Sequence, residues 1–276
     1  MLHFKIDSAK CTRCGQCVAD CPSRIIEQSG DQIPFIRSES EVNCIHCQHC
    51  LAICPAAAVS IFGLDPAMSL PVAAGSFPTL EKMTNLVRGR RSVRRYQDVN
   101  VDPKLLQQLL AALGNAPSAI NRMAVAITVI DDKEVMQRFR LKALQALAAA
   151  VAAGRVPEQH AYLVQAVPAW FEQQVDIIFR GAPHLLLISA GPESVCPPED
   201  VNLALAYFEL MAQSAGLGTV WCGLAKMVME LLPELKAVVG VPEGHYYYAM
   251  LFGVPAVHYA RTVQRDTASH IHRVQV

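Results

Sequence analysis

Cysteine is the residue type whose spacing in this chain most clearly points to chemistry. Eight of the ten cysteines form two copies of one pattern, in which two, two and three residues separate successive cysteines and a proline follows the fourth. The first copy is Cys11, Cys14, Cys17 and Cys21, and the second is Cys44, Cys47, Cys50 and Cys54. Thiolates at such short spacings can surround a compact inorganic centre. The pattern therefore predicts an N-terminal unit that binds metal through cysteine.

The doubled run resembles the cluster-binding sequence of bacterial two-cluster ferredoxins. In that pattern the fourth cysteine of each run reaches across to the other cluster. The expected ligand sets for two 4Fe-4S clusters are Cys11, Cys14, Cys17 and Cys54, and Cys44, Cys47, Cys50 and Cys21. Zinc is the main alternative because it also binds paired cysteines, but it requires neither a third and fourth cysteine at these fixed offsets nor the proline. A disulfide framework is a further alternative, although nothing in the sequence suggests an oxidising compartment.

A second chemical feature is the arginine-rich segment at residues 90–96, which reads Arg-Arg-Ser-Val-Arg-Arg-Tyr. Such a run is often only a solvated basic surface. It could also hold a phosphate group, because guanidinium groups bind phosphate oxygens in pairs and Ser92 adds a hydroxyl donor.

Three further segments follow this run in order. They are the turn Pro117-Ser118-Ala119-Ile120-Asn121, the helix from Asp200 that leads into Gly216-Leu217-Gly218, and the strand end Phe252-Gly253-Val254-Pro255 with Arg261 and Arg265 downstream. A glycine pair after a helix is most often only a cap, so each segment is a weak signal by itself. Together with the arginine run, the four segments resemble the markers of the FMN-binding domain of the nitroreductase family.

The resemblance implies a homodimer with one FMN per subunit, held at the dimer interface. It implies that Arg90, Arg91, Ser92 and Arg94 hold the phosphate side and that Arg265 or Arg261 completes the phosphate site. It further implies that Pro117, Ser118 and Asn121 approach the flavin ring, while the backbone around Cys222 and Gly223 lines its other edge. No catalytic acid or nucleophile is expected, since flavin N5 carries the chemistry in this family.

Composition limits the remaining possibilities. The chain has 276 residues, enough for one small and one mid-sized domain, and 52% of them are hydrophobic, which favours a large core or an extensive subunit interface. The formal net charge is zero, so nothing favours nucleic acid as a partner. The N-terminus lacks an apolar signal stretch, and the run from Ala143 to Gly154 is too short to span a bilayer. We expect a cytoplasmic protein with no membrane partner.

The elements that must position these residues form two groups. Residues 1–62 are expected to form a ferredoxin-like domain with paired outer strands at 3–6 and 59–62 and a hairpin over 25–36, and the Pro-rich residues 63–78 a linker. Residues 79–276 are expected to form a nitroreductase-like sheet domain. Its predicted helices are 79–88, 103–115, 133–153, 157–180 and 199–215, and its predicted strands are 125–130, 184–189, 219–222 and 246–252, the first two of them buried. The fold class is therefore α+β, and the tail from residue 254 is expected to wrap a partner subunit.

The functional hypothesis is an oxidoreductase that passes electrons through two 4Fe-4S clusters to FMN and reduces a small electron-poor organic acceptor, such as a nitroaromatic or a quinone. The donor is expected to be a one-electron carrier such as ferredoxin, with NAD(P)H as the alternative. A dedicated metabolite reductase and a non-enzymatic electron carrier or redox sensor are the competing hypotheses.

Overall fold

The computed structural model describes residues 1–265 and 271–275. Residues 266–270 and 276 of the expected C-terminal arm lie outside the described residues. The chain divides into two compact units, Met1–Phe77 and a second unit that begins at Pro78.

The first unit consists of two small antiparallel strand pairs, two short α-helices and two 3-10 segments, Ser38–Asn43 and Pro66–Met68. Its elements are β1 (Lys5–Ile6), α1 (Gln16–Ala19), β2 (Ile26–Glu27), β3 (Phe35–Ile36), α2 (His49–Ala52) and β4 (Val59–Ser60). Strand β1 pairs with β4, and β2 pairs with β3. The predicted pairing of the two ends and the predicted hairpin are both confirmed.

The internal repeat of the sequence is also a repeat of backbone conformation. Residues 33 positions apart share a left-handed backbone: φ is 58° at both Arg13 and His46, and 69° and 59° at Gly15 and Gln48. Arg13 and Gly15 lie between cysteines of the first run, and His46 and Gln48 lie at the same places in the second run. The two cysteine loops therefore curl in the same way, as equal spacing of the thiolates requires.

The second unit is built around a four-stranded antiparallel sheet with the order β5-β6-β8-β7. Its strands are β5 (Val125–Ile130), β6 (His184–Ala190), β7 (Gly218–Trp221) and β8 (Tyr246–Gly253). Its helices are α3 (Leu80–Gly89), α4 (Pro103–Ala112), α5 (Lys133–Ala152), α6 (Ala166–Phe171), α7 (Pro197–Ser214), α8 (Gly223–Leu231) and α9 (Pro233–Val238).

Helices cover both faces of this sheet, and the alternation of side chains along β6 shows how. Leu185 and Leu187 belong to the core formed with α5 and α8, whereas Leu186 and Ile188 belong to the core formed with α4 and α7. All seven residues of β6 are buried, because the strand has a helical layer on each side. The expected α+β fold class is confirmed.

Helix starts follow local capping rules. The carboxylate of Asp102 accepts the N–H of Leu105 at the start of α4, and Asp132 caps α5 in the same way through Glu134 and Val135. Proline occupies the first turn of α4 and α7, where its missing N–H has no cost.

Two expectations for the second unit need correction, and two of its helices were not expected. Strand β5 is an edge strand with Ala126 and Ile127 exposed rather than a buried strand, because only β6 pairs with it. The helix predicted over 157–180 is a 3-10 segment (Glu158–Gln165) followed by the short α6. The chain then turns, and the Asp176 carboxylate accepts the N–H groups of Phe179 and Gly181. Helices α8 and α9 were not predicted at all.

Within residues 1–265 and 271–275, no helix combines the length and the apolar character that crossing a bilayer requires.

Candidate functional site

The cysteines of the first unit group in space in an interleaved manner. Burial raises the pKa of the Cys17 thiol, and the nearby thiols of Cys54 and Cys11 raise it further. Cys54 therefore lies beside the first run although it belongs to the second run in sequence. Burial also raises the pKa of Cys50, to about 11, and the nearby Cys47 and Cys21 add to this shift.

This grouping agrees with the ligand sets expected from the doubled run, which remain a prediction. Cys21, Cys44, Cys47 and Cys50 line one cavity together with Ile25, Ile26, Ile36, Ile45 and Ile61. Backbone N–H groups also reach the sulfurs, since Ala58 N donates to Cys54 Sγ over 3.2 Å. Apolar walls and N–H donors to sulfur are the surroundings that an iron–sulfur cluster requires.

The donor set and its surroundings fit 4Fe-4S clusters. Each run supplies four cysteines at fixed offsets and a following proline, whereas a zinc site requires neither those offsets nor the proline. The apolar cavity walls and the N–H donor to Cys54 Sγ match the surroundings of a cluster. In the described part of the chain, no three or more His, Cys, Asp or Glu side chains form a group that could hold one metal ion.

The second candidate site is a cavity of about 760 Å³ in the second unit. Its lining consists of Val87, Arg88, Arg90, Arg91, Thr262, Val263, Gln264 and Arg265. Arginines from two segments far apart in sequence therefore face one space, a donor set suited to a phosphate group. Of the two downstream arginines in question, Arg265 lines the cavity and Arg261 does not.

Hydrogen bonds fix the arginine run against β7 and α7. Val93 N donates to the Thr219 carbonyl oxygen over 2.8 Å. Arg90 forms an ion pair of 3.0 Å with Glu209 on α7. Arg94 is directed elsewhere, since it donates to the Ser92 carbonyl oxygen over 3.2 Å. Neither Ser92 nor Arg94 is among the residues that line the cavity.

The turn at residues 117–121 is held by a buried carboxylate. Asp200 is 2% exposed; its Oδ1 accepts the N–H of Ala119 over 2.9 Å, and its Oδ2 accepts the Ser194 hydroxyl over 2.7 Å. Ser118 closes the next turn by accepting the N–H of Met123 over 2.8 Å. The backbone of Asn121 is left-handed, with φ of 55°. Because these hydrogen bonds hold the turn in one conformation, its backbone can lie against a flat ligand.

Cys222 has a structural role as the N-cap of α8. Its sulfur accepts the N–H of Ala225 over 3.4 Å and donates to the Ile178 carbonyl oxygen over 3.3 Å. Burial raises the pKa of this thiol to about 11, so it stays protonated at neutral pH. Gly223 packs beside Tyr248, whose hydroxyl would lie 3.3 Å from a Cβ at this position.

Only some of the residues expected to bind FMN therefore line the arginine cavity. The structure brings Arg90, Arg91 and Arg265 to one cavity. It does not place the expected ring contacts in that lining; these are Pro117, Ser118, Asn121, Cys222 and Gly223.

Sequence reasoning missed Arg88 in the cavity and Glu209 beside it. Arg88 lies two residues before the motif, and Glu209 is the one acidic residue of α7 after its first turn. The sequence signal that could have identified Glu209 is a charged residue at a position of α7 that faces the core, where charged residues are rare.

Comparison with known proteins agrees with this two-part organisation. Residues 87–254 match the model of the nitroreductase family, and residues 10–59 match a 4Fe-4S dicluster domain. A Methanothermobacter thermautotrophicus protein with the provisional name NADH dehydrogenase/NAD(P)H nitroreductase is 23% identical over 175 residues, which cover 62% of this chain and 75% of that protein.

Two solved structures of nitroreductases with bound FMN share the fold. The Bacteroides fragilis protein has a TM-score of 0.57 and 21% identity, covering 70% of this chain and 99% of its own. The Desulfitobacterium hafniense protein has a TM-score of 0.56 and 22% identity, covering 71% of this chain and 100% of its own. Because the family model matches more than half of the residues, this chain belongs to the nitroreductase family of oxidoreductases and carries an N-terminal 4Fe-4S domain.

Proposed function

We propose that this chain is an iron–sulfur flavoprotein that binds two 4Fe-4S clusters and one FMN and passes electrons through them to a small electron-poor organic acceptor of the nitroaromatic or quinone type. The observation that carries the proposal is the arginine-lined cavity at Arg90, Arg91 and Arg265, in a nitroreductase-family unit joined to eight grouped cysteines. When bound, the clusters supply single electrons and FMN exchanges one or two.

The chain's own residues bind and orient in this proposal. The guanidinium groups of Arg91 and Arg265 neutralise a phosphate dianion and donate paired hydrogen bonds to it. The Asp200 carboxylate keeps the turn at Ala119 rigid. Bound FMN in the two solved relatives supports this assignment. The donor is a ferredoxin-type carrier, or NAD(P)H, which appears in the name of the Methanothermobacter relative.

A second copy of the chain would complete the flavin site. The arginine cavity and the turn at Ser118 do not share a lining, so one subunit would supply the phosphate side and its partner would supply ring contacts. Helix α7 also exposes apolar side chains one turn apart, Leu203 and Tyr207, each 41% exposed. Homodimerisation would cover such a surface. The thiolate ligands favour a cytoplasmic location, where reducing conditions keep them available.

Cofactor analysis of anaerobically purified protein tests the first half of the proposal. About eight irons, about eight acid-labile sulfides and about one FMN per chain are expected from two four-iron clusters and one flavin. Stoichiometric zinc with little sulfide would contradict the cluster assignment.

Parallel reduction tests the second half. Reduced ferredoxin and NAD(P)H are offered separately under anaerobic conditions while the flavin absorbance is followed, and a nitroaromatic or a quinone is then added. Rapid reoxidation of the flavin by the small acceptor supports an enzyme. Flavin that only a protein oxidant can reoxidise would indicate an electron carrier instead.

A further inference from the structure

Glu209 is a buried carboxylate that neither the sequence motifs nor the family markers explain. It lies in the middle of α7 between the apolar residues Phe208 and Leu210 and is only 8% exposed. Burial of a carboxylate is costly unless charged or polar groups face it. The hydrogen-bond partners of Glu209 must therefore offset the free-energy cost of removing its carboxylate from water.

Its two hydrogen-bond partners connect Glu209 to the arginine-rich segment, Arg90 directly and Thr219 through the backbone of Val93. Glu209 Oε1 accepts a hydrogen bond from Arg90 Nη1 over 3.0 Å and another from the Thr219 hydroxyl over 3.4 Å. Thr219 in turn accepts the N–H of Val93 through its carbonyl oxygen. The carboxylate thus joins α7, β7 and the arginine run at one point.

Arg90 has a different environment at each side of its guanidinium group. One nitrogen contacts buried Glu209, while the side chain is 25% exposed and lines the cavity. A guanidinium is a planar fork, so fixing one nitrogen also fixes the direction of the other donors. Arg90 is therefore held in one orientation before any ligand enters.

We infer that Glu209 is a positioning residue that orients Arg90 toward the phosphate of FMN, an inference that rests on the proposed function. Pre-organisation strengthens binding because the ligand does not have to order the side chain itself. A carboxylate near a phosphate dianion repels it, so if Glu209 acted only through its charge, removing that charge would strengthen FMN binding. If Glu209 acts by positioning Arg90, removing the charge weakens FMN binding. The sign of the change in FMN affinity therefore distinguishes the two.

The test measures FMN dissociation constants on the full chain after flavin removal, by quenching of FMN fluorescence under anaerobic conditions. Glu209→Gln keeps the size of the side chain and is expected to weaken FMN binding about tenfold. Glu209→Asp keeps the charge but shortens the reach to Arg90, and it is expected to weaken binding in the same direction. This second variant also serves if Glu209→Gln does not fold.

A double-mutant cycle shows whether Glu209 acts through Arg90. In an Arg90→Gln background, Glu209→Gln is expected to leave FMN affinity unchanged, because its target is gone. Glu230→Gln is the matched control: this exposed carboxylate pairs with Lys226 on α8, and FMN affinity should not change. The iron content and the thermal midpoint of each variant report whether the fold is intact.

Three results would overturn the inference. Glu209→Gln could leave FMN affinity unchanged in a folded protein, it could tighten binding, or it could weaken binding equally in the Arg90→Gln background. Failure of the proposed function looks different, because Arg91→Ala and Arg265→Ala would then leave FMN affinity unchanged whatever Glu209 does.

Discussion

At the residue scale, buried carboxylates organise the second unit. Asp176 accepts the N–H groups of Phe179 and Gly181 and pairs with the buried Arg140 over 2.8 Å. Asp200 holds the turn at Ala119, and Glu209 holds Arg90. Asp176 fixes the loop in which it lies, whereas Asp200 and Glu209 each bind a donor from a segment far away in sequence.

Asp200→Asn should lower the free energy of unfolding of the second unit by about 1–3 kcal/mol. The amide has only one acceptor oxygen, so its nitrogen must face either the N–H of Ala119 or the Ser194 hydroxyl. Both tryptophans lie in the second unit, and their fluorescence in urea follows this transition. The adjacent exposed Glu199→Gln is the control and should change stability by less than about 0.5 kcal/mol. Equal losses in the two variants would contradict the role of Asp200.

His184 predicts a pH dependence of stability. It is fully buried in β6, its Nε2 accepts the N–H of Val101 over 3.0 Å, and burial lowers its pKa. A lowered pKa in the folded state means that the neutral form is favoured, so this stability is present above about pH 6.5, the unfolded value. It is lost as the pH falls below that value. The unfolding free energy of His184→Gln, measured from pH 8 to 5.5, should therefore depend less on pH than that of the original chain; parallel curves would refute this.

At the element scale, the glycines of the family markers end a helix or allow neighbouring elements to pack closely. Gly216 ends α7 with a left-handed backbone, φ 79°. A Cβ on Gly218 would lie 2.6 Å from Val93 Cγ2, and a Cβ on Gly253 would lie 2.6 Å from the Pro183 ring. These glycines let the arginine run and its neighbours approach the sheet closely. Gly218 and Gly253 therefore allow separate elements of this chain to pack closely.

Gly218→Ala should destabilise the second unit by about 1–3 kcal/mol through overpacking against Val93. It should also weaken FMN binding, because the backbone of the arginine run is attached to β7 at this point. The double variant Gly218→Ala with Val93→Ala removes the clash and should recover part of both losses. If the single variant is as stable as the original chain in urea, the close approach is not required.

At the scale of the whole molecule, the two compact units predict that one can exist without the other. A chain lacking Met1–Phe77 should fold and bind FMN, since the arginine cavity lies entirely after that boundary. It should lose flavin reduction by ferredoxin, measured anaerobically by absorbance, because the thiolate-bound clusters are gone. Chemical reduction followed by an added acceptor is the control for an intact flavin site. Unchanged ferredoxin-dependent reduction would show that the clusters have no part in electron flow.

Assembly gives a further prediction at this scale. Light scattering on the FMN-bound protein should give the mass of a dimer, about twice 30.1 kDa. Leu203→Glu with Tyr207→Glu should shift the equilibrium toward the monomer and release FMN, because the exposed face of α7 would carry charge into the interface. Lys142→Glu, on the exposed face of α5, is a control for added negative charge. A monomer that retains FMN would contradict a flavin site shared between subunits.

Local patterns in the sequence were sufficient for the cysteine loops, most helix and strand positions and the family of the second unit. The thiolate spacing predicted the cysteine loops and the apolar run at residues 184–189 predicted β6, and both patterns involve residues only a few positions apart. The segment at 172–180 could not be predicted in this way, because the Asp176 carboxylate, not a periodic pattern, determines its course.

Tertiary structure alone decided which charged residues meet. The four arginines near residue 90 are equivalent as a sequence pattern, yet Arg90 and Arg91 line the cavity with Arg265, and Arg94 does not. Glu209 lies 119 residues from Arg90 in the chain, and no local rule connects them. This contact forms only when the end of α3 packs against α7, because that packing, and not the spacing of residues, brings Arg90 and Glu209 within hydrogen-bonding distance.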